Sequence, residues 1–244
     1  MTKPQVLIVQ HVPWEKPGRI LDSLDDMELP YQIVNIAGTK KPDLPNFNGL
    51  AGVVVMGGPM GAQDFDKYPG LKAEAKLVRA AIAVNKPVLG HLSGASDHRH
   101  GARRQTQTRV RNPENRIRTQ SNASTNNDYF SMWNKTIDVL HWHNVRGIAA
   151  RRRAAARTFR QHQEPGLQIR FRARPAIPSG SHPTLLEEWL DEPSMVKELK
   201  AAGGSKSKLR EDFAAYDPQL QPLADQVFSG FAARCNSYAH SLAR

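Results

Sequence analysis

Along the first ninety residues, short apolar runs alternate with stretches whose apolar positions fall three or four apart. Val6 to Val9 is an unbroken apolar run of strand composition, and Pro17-Gly18 closes the loop that follows it. From Arg19 to Met27 the apolar positions are Ile20, Leu24 and Met27, a spacing that predicts a helix. Tyr31 to Ile36 alternates as a second strand. Gly52 to Met56 predicts a third, apolar throughout as in a strand covered on both faces. Leu71, Ala75, Val78 and Ile82 mark one face of a further helix, and Lys86 to Leu89 returns as a fourth strand. Strands alternating with helices at this pitch predict an α/β fold with a doubly wound, mostly parallel sheet.

That pattern stops at His91. Thr106 to Asn127 is rich in Arg, Asn, Thr and Gln with almost no apolar period, a composition that predicts irregular structure. Order returns over Asp128 to His143, whose end has strand character. It fails again from Asn144 to His182, which includes Arg151 to Arg157 and Arg170 to Pro175. From Thr184 the helical period recovers with Leu185, Leu186, Trp189 and Leu190, and Gly203-Gly204 breaks it. Leu220, Leu223, Val227, Phe231, Cys235, Tyr238 and Leu242 then describe a long amphipathic helix. The expected organisation is one domain over residues 1–200, degenerate over 91–127 and 144–183, followed by a C-terminal helical extension over 201–244.

Charge follows the same boundaries. The formal net charge of the 244-residue chain is +11, and residues 91–183 hold 17 basic against 5 acidic side chains. The remainder is close to neutral. A basic protein that binds nucleic acid or another anion through this region is therefore one reading of the chain, although no aromatics interleave the arginines as a stacking surface requires. Cys235 is the single cysteine, which excludes an internal disulfide framework and fits a reducing cytoplasm. It lies on the apolar face of the last predicted helix, which makes it a core residue in preference to a nucleophile. The N-terminal residues lack the apolar run of a signal peptide, and no later stretch is long enough to span a membrane.

Two loops carry the candidate chemistry. Val53 to Gly61 is a strand running into a glycine turn, and Lys86 to Ala95 is a strand running into a Gly-x-x-x-Gly bend. Both present backbone N–H groups at the carboxyl end of the sheet, where open α/β folds build their sites. Ser93 in the second bend suggests a serine nucleophile but has no identifiable base. His141 and His143 alternate as a metal pair would, without an evident third ligand.

Taken in order, Val6 to Gly18, Met56-Gly-Gly-Pro-Met-Gly61, Asp64 to Tyr68, Lys86-Pro-Val-Leu-Gly90, His141-Trp-His143 and Leu185 to Leu190 resemble the stand-alone class I glutamine amidotransferases. That family includes the glutaminase half of GMP synthase. The resemblance implies a flavodoxin-like sheet with C-terminal helices, and hydrolysis of glutamine to glutamate and ammonia through a Cys-His-Glu triad. The ammonia passes to an acceptor, and no cofactor or metal is needed. It also implies that Gly57 and Gly58 supply the oxyanion loop and that His141 and His143 line the site. The family patterns are Gly-x-Cys-x-Gly and Gly-Leu-Gln-Phe-His-x-Glu. Here the triad positions hold Leu92, Pro178 and Gly180, so the triad is missing and the resemblance implies an inactive copy.

Both degenerate segments are explained by a one-base slip of the reading frame. Shifted codons compatible with His91 to Gln105 can encode ICLGHQIIATALGAK, the absent elbow and its helix. With the same offset, Arg174 to Pro183 can encode the GLQFH motif with a glutamate two places after its histidine. Slipped GC-rich codons read as Arg, Ala, Pro and Gly, which also accounts for the basic excess. The expectation is a frame shifted over about residues 91–127 and 144–183.

Overall fold

The structure is a computed structural model and describes residues 3–61, 64–90, 116–120, 136–140, 180, 182–201 and 203–242. Strands β1 (Gln5–Gln10), β2 (Tyr31–Asn35), β3 (Leu50–Val55) and β4 (Val88–Gly90) form one sheet in the order β2-β1-β3-β4. All three pairings are parallel, as the alternation of strands and helices predicts. Helix α1 (Ile20–Asp25) connects β1 to β2, and α2 (Gly70–Ala83) connects β3 to β4. Farther along the chain come α3 (Pro183–Asp191), α4 (Pro193–Ala201) and α5 (Lys206–Leu242).

The sheet is covered on both faces, which is why β1 and β3 are apolar without alternation. On one face Val6, Ile8, Val54 and Leu89 pack with Ile20 and Leu24 of α1 and with Val227, Phe228, Phe231 and Cys235 of α5. On the other, Leu7, Val9 and Val53 pack with Leu77 and Ala81 of α2. Each fully buried Phe or Leu in these layers contributes about 1.5–3 kcal/mol of apolar transfer free energy. The segment expected as a C-terminal extension thus supplies much of one core layer. It runs as a single helix through Pro218 and Pro222 and begins earlier than its apolar period suggests. Its close seat on β3 depends on Gly52, where a Cβ would lie 2.4 Å from Cys235 Sγ.

Three details depart from expectation. The buried face of α2 is Leu71, Glu74, Leu77, Val78 and Ala81, with Ile82 at its exposed margin. The stripe is rotated because an acidic residue, Glu74, occupies an inward position. Secondly, β5 (Arg116–Gln120) lies in a stretch whose composition suggests no regular structure, and it pairs antiparallel with β6 (Thr136–Leu140). Its signal is short: Ile117 and Thr119 alternate with polar residues over only five positions. Lastly, β2 is an edge strand with Ile33 substantially exposed, so its alternation does not correspond to one buried face.

Candidate functional site

The register of β1 against β3 builds the site. Val9 pairs with Val55, and Met56 N–H donates to Val9 O at 2.8 Å. Two residues farther along each strand the chain reaches His11 and Gly57, which therefore emerge side by side at the carboxyl end of the sheet. His11 Nδ1 donates to Gly57 O at 2.9 Å, and His11 Nε2 lies 2.5 Å from Glu74 Oε2. The crossover from β3 brings α2 back with Glu74 in its second turn, which places the carboxylate beneath the imidazole. Both residues are 7 % exposed.

Burial by itself would lower the affinity of His11 for its second proton. The hydrogen bond to Glu74 and the charge of that carboxylate, helped by the Gly57 carbonyl and by Glu15, outweigh it and raise the pKa above the ordinary histidine value. The glycine turn is also packed from the other side. A Cβ on Gly58 would meet Met60 Sδ at 2.2 Å and His11 Cβ at 3.0 Å, so glycine is required while Met60 stays folded over the turn. Met60 has a flexible thioether end and can move.

Of the site residues expected from sequence, Gly57 and Gly58 are brought together with His11 and Glu74. Leu92, Pro178, His141 and His143 lie outside the described residues, as does Ser93. Gly180 is described and buried. Its carbonyl accepts from Arg19 N–H at 2.6 Å, and a Cβ there would lie 2.9 Å from two ring carbons of Phe228. A side chain at position 180 would therefore meet an aromatic ring.

Cys235 is fully buried on the core side of α5, against Gly52. Burial pushes its thiol far above the ordinary range, with the neighbouring Lys86 only partly opposing the shift. It is a core residue, as its place on the apolar stripe predicts. Among the described residues no cluster of three or more His, Cys, Asp or Glu could hold a metal ion, and no helix is long and apolar enough to cross a membrane.

His11 and Glu74 were not singled out from sequence. One signal was present: Glu74 lies three residues after Leu71 and three before Leu77, squarely on the apolar stripe of α2. A carboxylate in that position needs a buried partner. Which partner depends on the strand register, and so on the fold.

Comparison with solved structures bears on this arrangement. The chain superposes on the crystal structure of a glutamine amidotransferase from Thermotoga maritima with a TM-score of 0.64, covering 95% of this chain and 99% of that one at 18% identity. The chain has the fold of that amidotransferase. The crystal structure of SMU.1228c gives a TM-score of 0.54 at 15% identity, covering 98% of this chain and 100% of that one. A glutamine amidotransferase from Methylobacillus flagellatus overlaps 59% of this chain and 56% of its own at 22% identity, with a TM-score of 0.45. No protein-family model and no curated protein matches the sequence. In the amidotransferase fold seen here, the glycine turn after β3 and the end of β4 stand next to each other at the carboxyl edge, since β3 and β4 are neighbours.

Proposed function

We propose that this chain descends from the class I glutamine amidotransferases of the GMP synthase glutaminase type, and that as encoded it no longer hydrolyses glutamine. The observation that carries the reading is the separation of two halves of one site. The donor half, Gly57 and Gly58 at the end of β3, is built and held by a buried His11–Glu74 pair. The nucleophile half has no thiol, because the chain's single cysteine is Cys235 in the core beneath α5. In the parent reaction a thiolate at Leu92 attacks the glutamine amide carbon, a histidine at Pro178 carries the proton, and a carboxylate at Gly180 orients that histidine. The turn's N–H groups bind the oxyanion of the tetrahedral intermediate.

Loss of nucleophile and base together leaves only the residual catalysis that binding and oxyanion donors supply. The frame shift over about 91–127 and 144–183 accounts for the loss of both motifs by one kind of event. Glutamine is then the ancestral substrate. The test is ammonia release from glutamine by the purified chain, beside a version whose two segments are translated in the shifted frame. The expected result is background release from the first and thiol-dependent release from the second. Robust release by the first chain, blocked by a thiol reagent, would overturn the reading, as would a gene sequence whose third codon positions are incompatible with the shifted peptides.

A further inference from the structure

The His11–Glu74 pair does more than fill space beside the glycine turn. Gly57 O can only accept a hydrogen bond, so His11 Nδ1 carries a hydrogen. A second proton lies between Nε2 and the Glu74 carboxylate, whichever atom it is nearer, and the pair as a whole is neutral. Both ring nitrogens are engaged, so the imidazole cannot turn without breaking both contacts.

The described chain has no cis peptide bond. The Gly57–Gly58 peptide is therefore trans and planar, and its N–H points opposite to its C=O. With Gly57 O drawn onto His11, Gly58 N–H is directed away from His11. A peptide between two glycines is otherwise the easiest in a chain to turn over, because neither residue carries a Cβ that resists the coupled rotation. Such a turn would exchange a donor for an acceptor at the same place.

We propose that His11 and Glu74 are positioning residues that lock the Gly57–Gly58 peptide in one orientation, keeping Gly58 N–H as a fixed donor toward a carbonyl or anionic oxygen at the carboxyl edge of the sheet. The use of that donor rests on the amidotransferase reading, whereas the lock does not. The lock depends on the shared proton. Once it is lost at high pH, Nε2 and the carboxylate are both acceptors and repel each other, and the ring is released. Glu15, on the loop after β1, is the other charge that acts on the ring and favours retention of the proton.

The test is NMR on the full chain with glycine labelled at 15N and at the carbonyl carbon. The readouts are the residual dipolar coupling of Gly58 N–H, which reports bond orientation, and the Gly57 carbonyl shift. In His11→Phe the lock predicts loss of the single-orientation coupling at Gly58 and an upfield move of Gly57, while the amide coupling of Gly52 in β3 holds. In Glu74→Gln a neutral imidazole still donates Nδ1–H to Gly57 and accepts from the new carboxamide. Both signals should then stay near wild type, and the wild-type pH dependence of Gly57 should disappear. Wild-type coupling and carbonyl shift in His11→Phe would overturn the lock. If that variant does not fold, the wild-type titration decides: a Gly57 carbonyl that follows the His11 ring supports the lock, and one indifferent to it overturns it. No activity enters this experiment, so its failure leaves the ammonia-release test of the parent reading intact.

Discussion

Lys86 is a buried cation whose effect on stability has a defined sign and pH window. Its side chain enters beneath β3 at the amino end of the sheet, donates to Leu50 O, and lies 4.9 Å from the Phe47 ring centre and 4.6 Å from that of Tyr238. It is 2 % exposed. Burial lowers its pKa from 10.5 to about 8, with Cys235 opposing the shift. Between those two values the unfolded chain holds a proton that the folded chain has released, so stability rises with pH across the window. The full difference corresponds to about 3 kcal/mol, and integration of the linkage between pH 7 and 9 gives a gain of about 1 kcal/mol. His11 acts the other way: its raised pKa means stability is lost as pH climbs from the unfolded value through the folded one. Cys235 opposes as well, since the unfolded thiol ionises from about 9 while burial keeps the folded thiol protonated. Both groups are shared by the wild type and Lys86→Met, so the difference between the two proteins isolates the lysine. At pH 7 the variant sheds a buried charge but leaves Leu50 O without its donor, a loss of about 1–3 kcal/mol. The two nearly offset each other, and the slope is the sharper quantity. Urea unfolding at pH 7, 8 and 9 should show the wild type gaining about 1 kcal/mol on the variant, roughly 0.5 M in midpoint. A difference independent of pH, or one that moves toward the variant, would refute the reasoning.

Three further outcomes follow from the packing of the core. Cys235 should resist iodoacetamide in the native chain by at least about a thousandfold relative to the chain in urea, because labelling requires the core to open and stabilities of about 5 kcal/mol or more are usual. Fast native labelling would remove the argument that no thiol is available. Gly52→Ala sets a Cβ against Cys235 Sγ and should cost about 1–3 kcal/mol; combined with Cys235→Ala the total should fall well below the sum of the two single changes, measured by a double-mutant cycle in urea. Gly180→Glu, which on the proposed reading restores the carboxylate alone, should destabilise by about 2 kcal/mol or more against the Phe228 ring and yield no ammonia release.

Periodicity made the four-stranded parallel sheet legible, because strands buried on both faces read as apolar runs and the helices between them keep a period of 3.6. It also assigned Cys235 to the core, where the structure has it fully buried. What periodicity could not supply is anything that depends on register. Glu74 falls on the apolar stripe of α2 in the sequence, but its partner is fixed only when β1 and β3 are aligned and His11 is found above it. The apolar stripe of α2 was misjudged for the same reason, since leaving Glu74 out shifts its centre toward Ile82. β5 was missed because five residues carry too little alternation to stand out among arginines.

The same distinction separates the two halves of the candidate site. The glycine turn, its histidine and its glutamate come from β1, β3 and α2, elements whose apolar patterns are intact and whose packing is continuous through both core layers. On the proposed reading the nucleophile and base positions fall at Leu92 and Pro178, where the pattern of the chain has failed. Gradual loss of function through single substitutions would erode a triad residue by residue and leave the surrounding helix and strand periods in place. Here the periods disappear together with the motifs, return briefly over Asp128 to His143 and recover at Thr184, a pattern for which the proposed displacement of the reading frame accounts. On this account the His11–Glu74 pair persists because it lies upstream of the first displacement, and a chain restored in frame should regain a nucleophile opposite a donor turn that is already held in place.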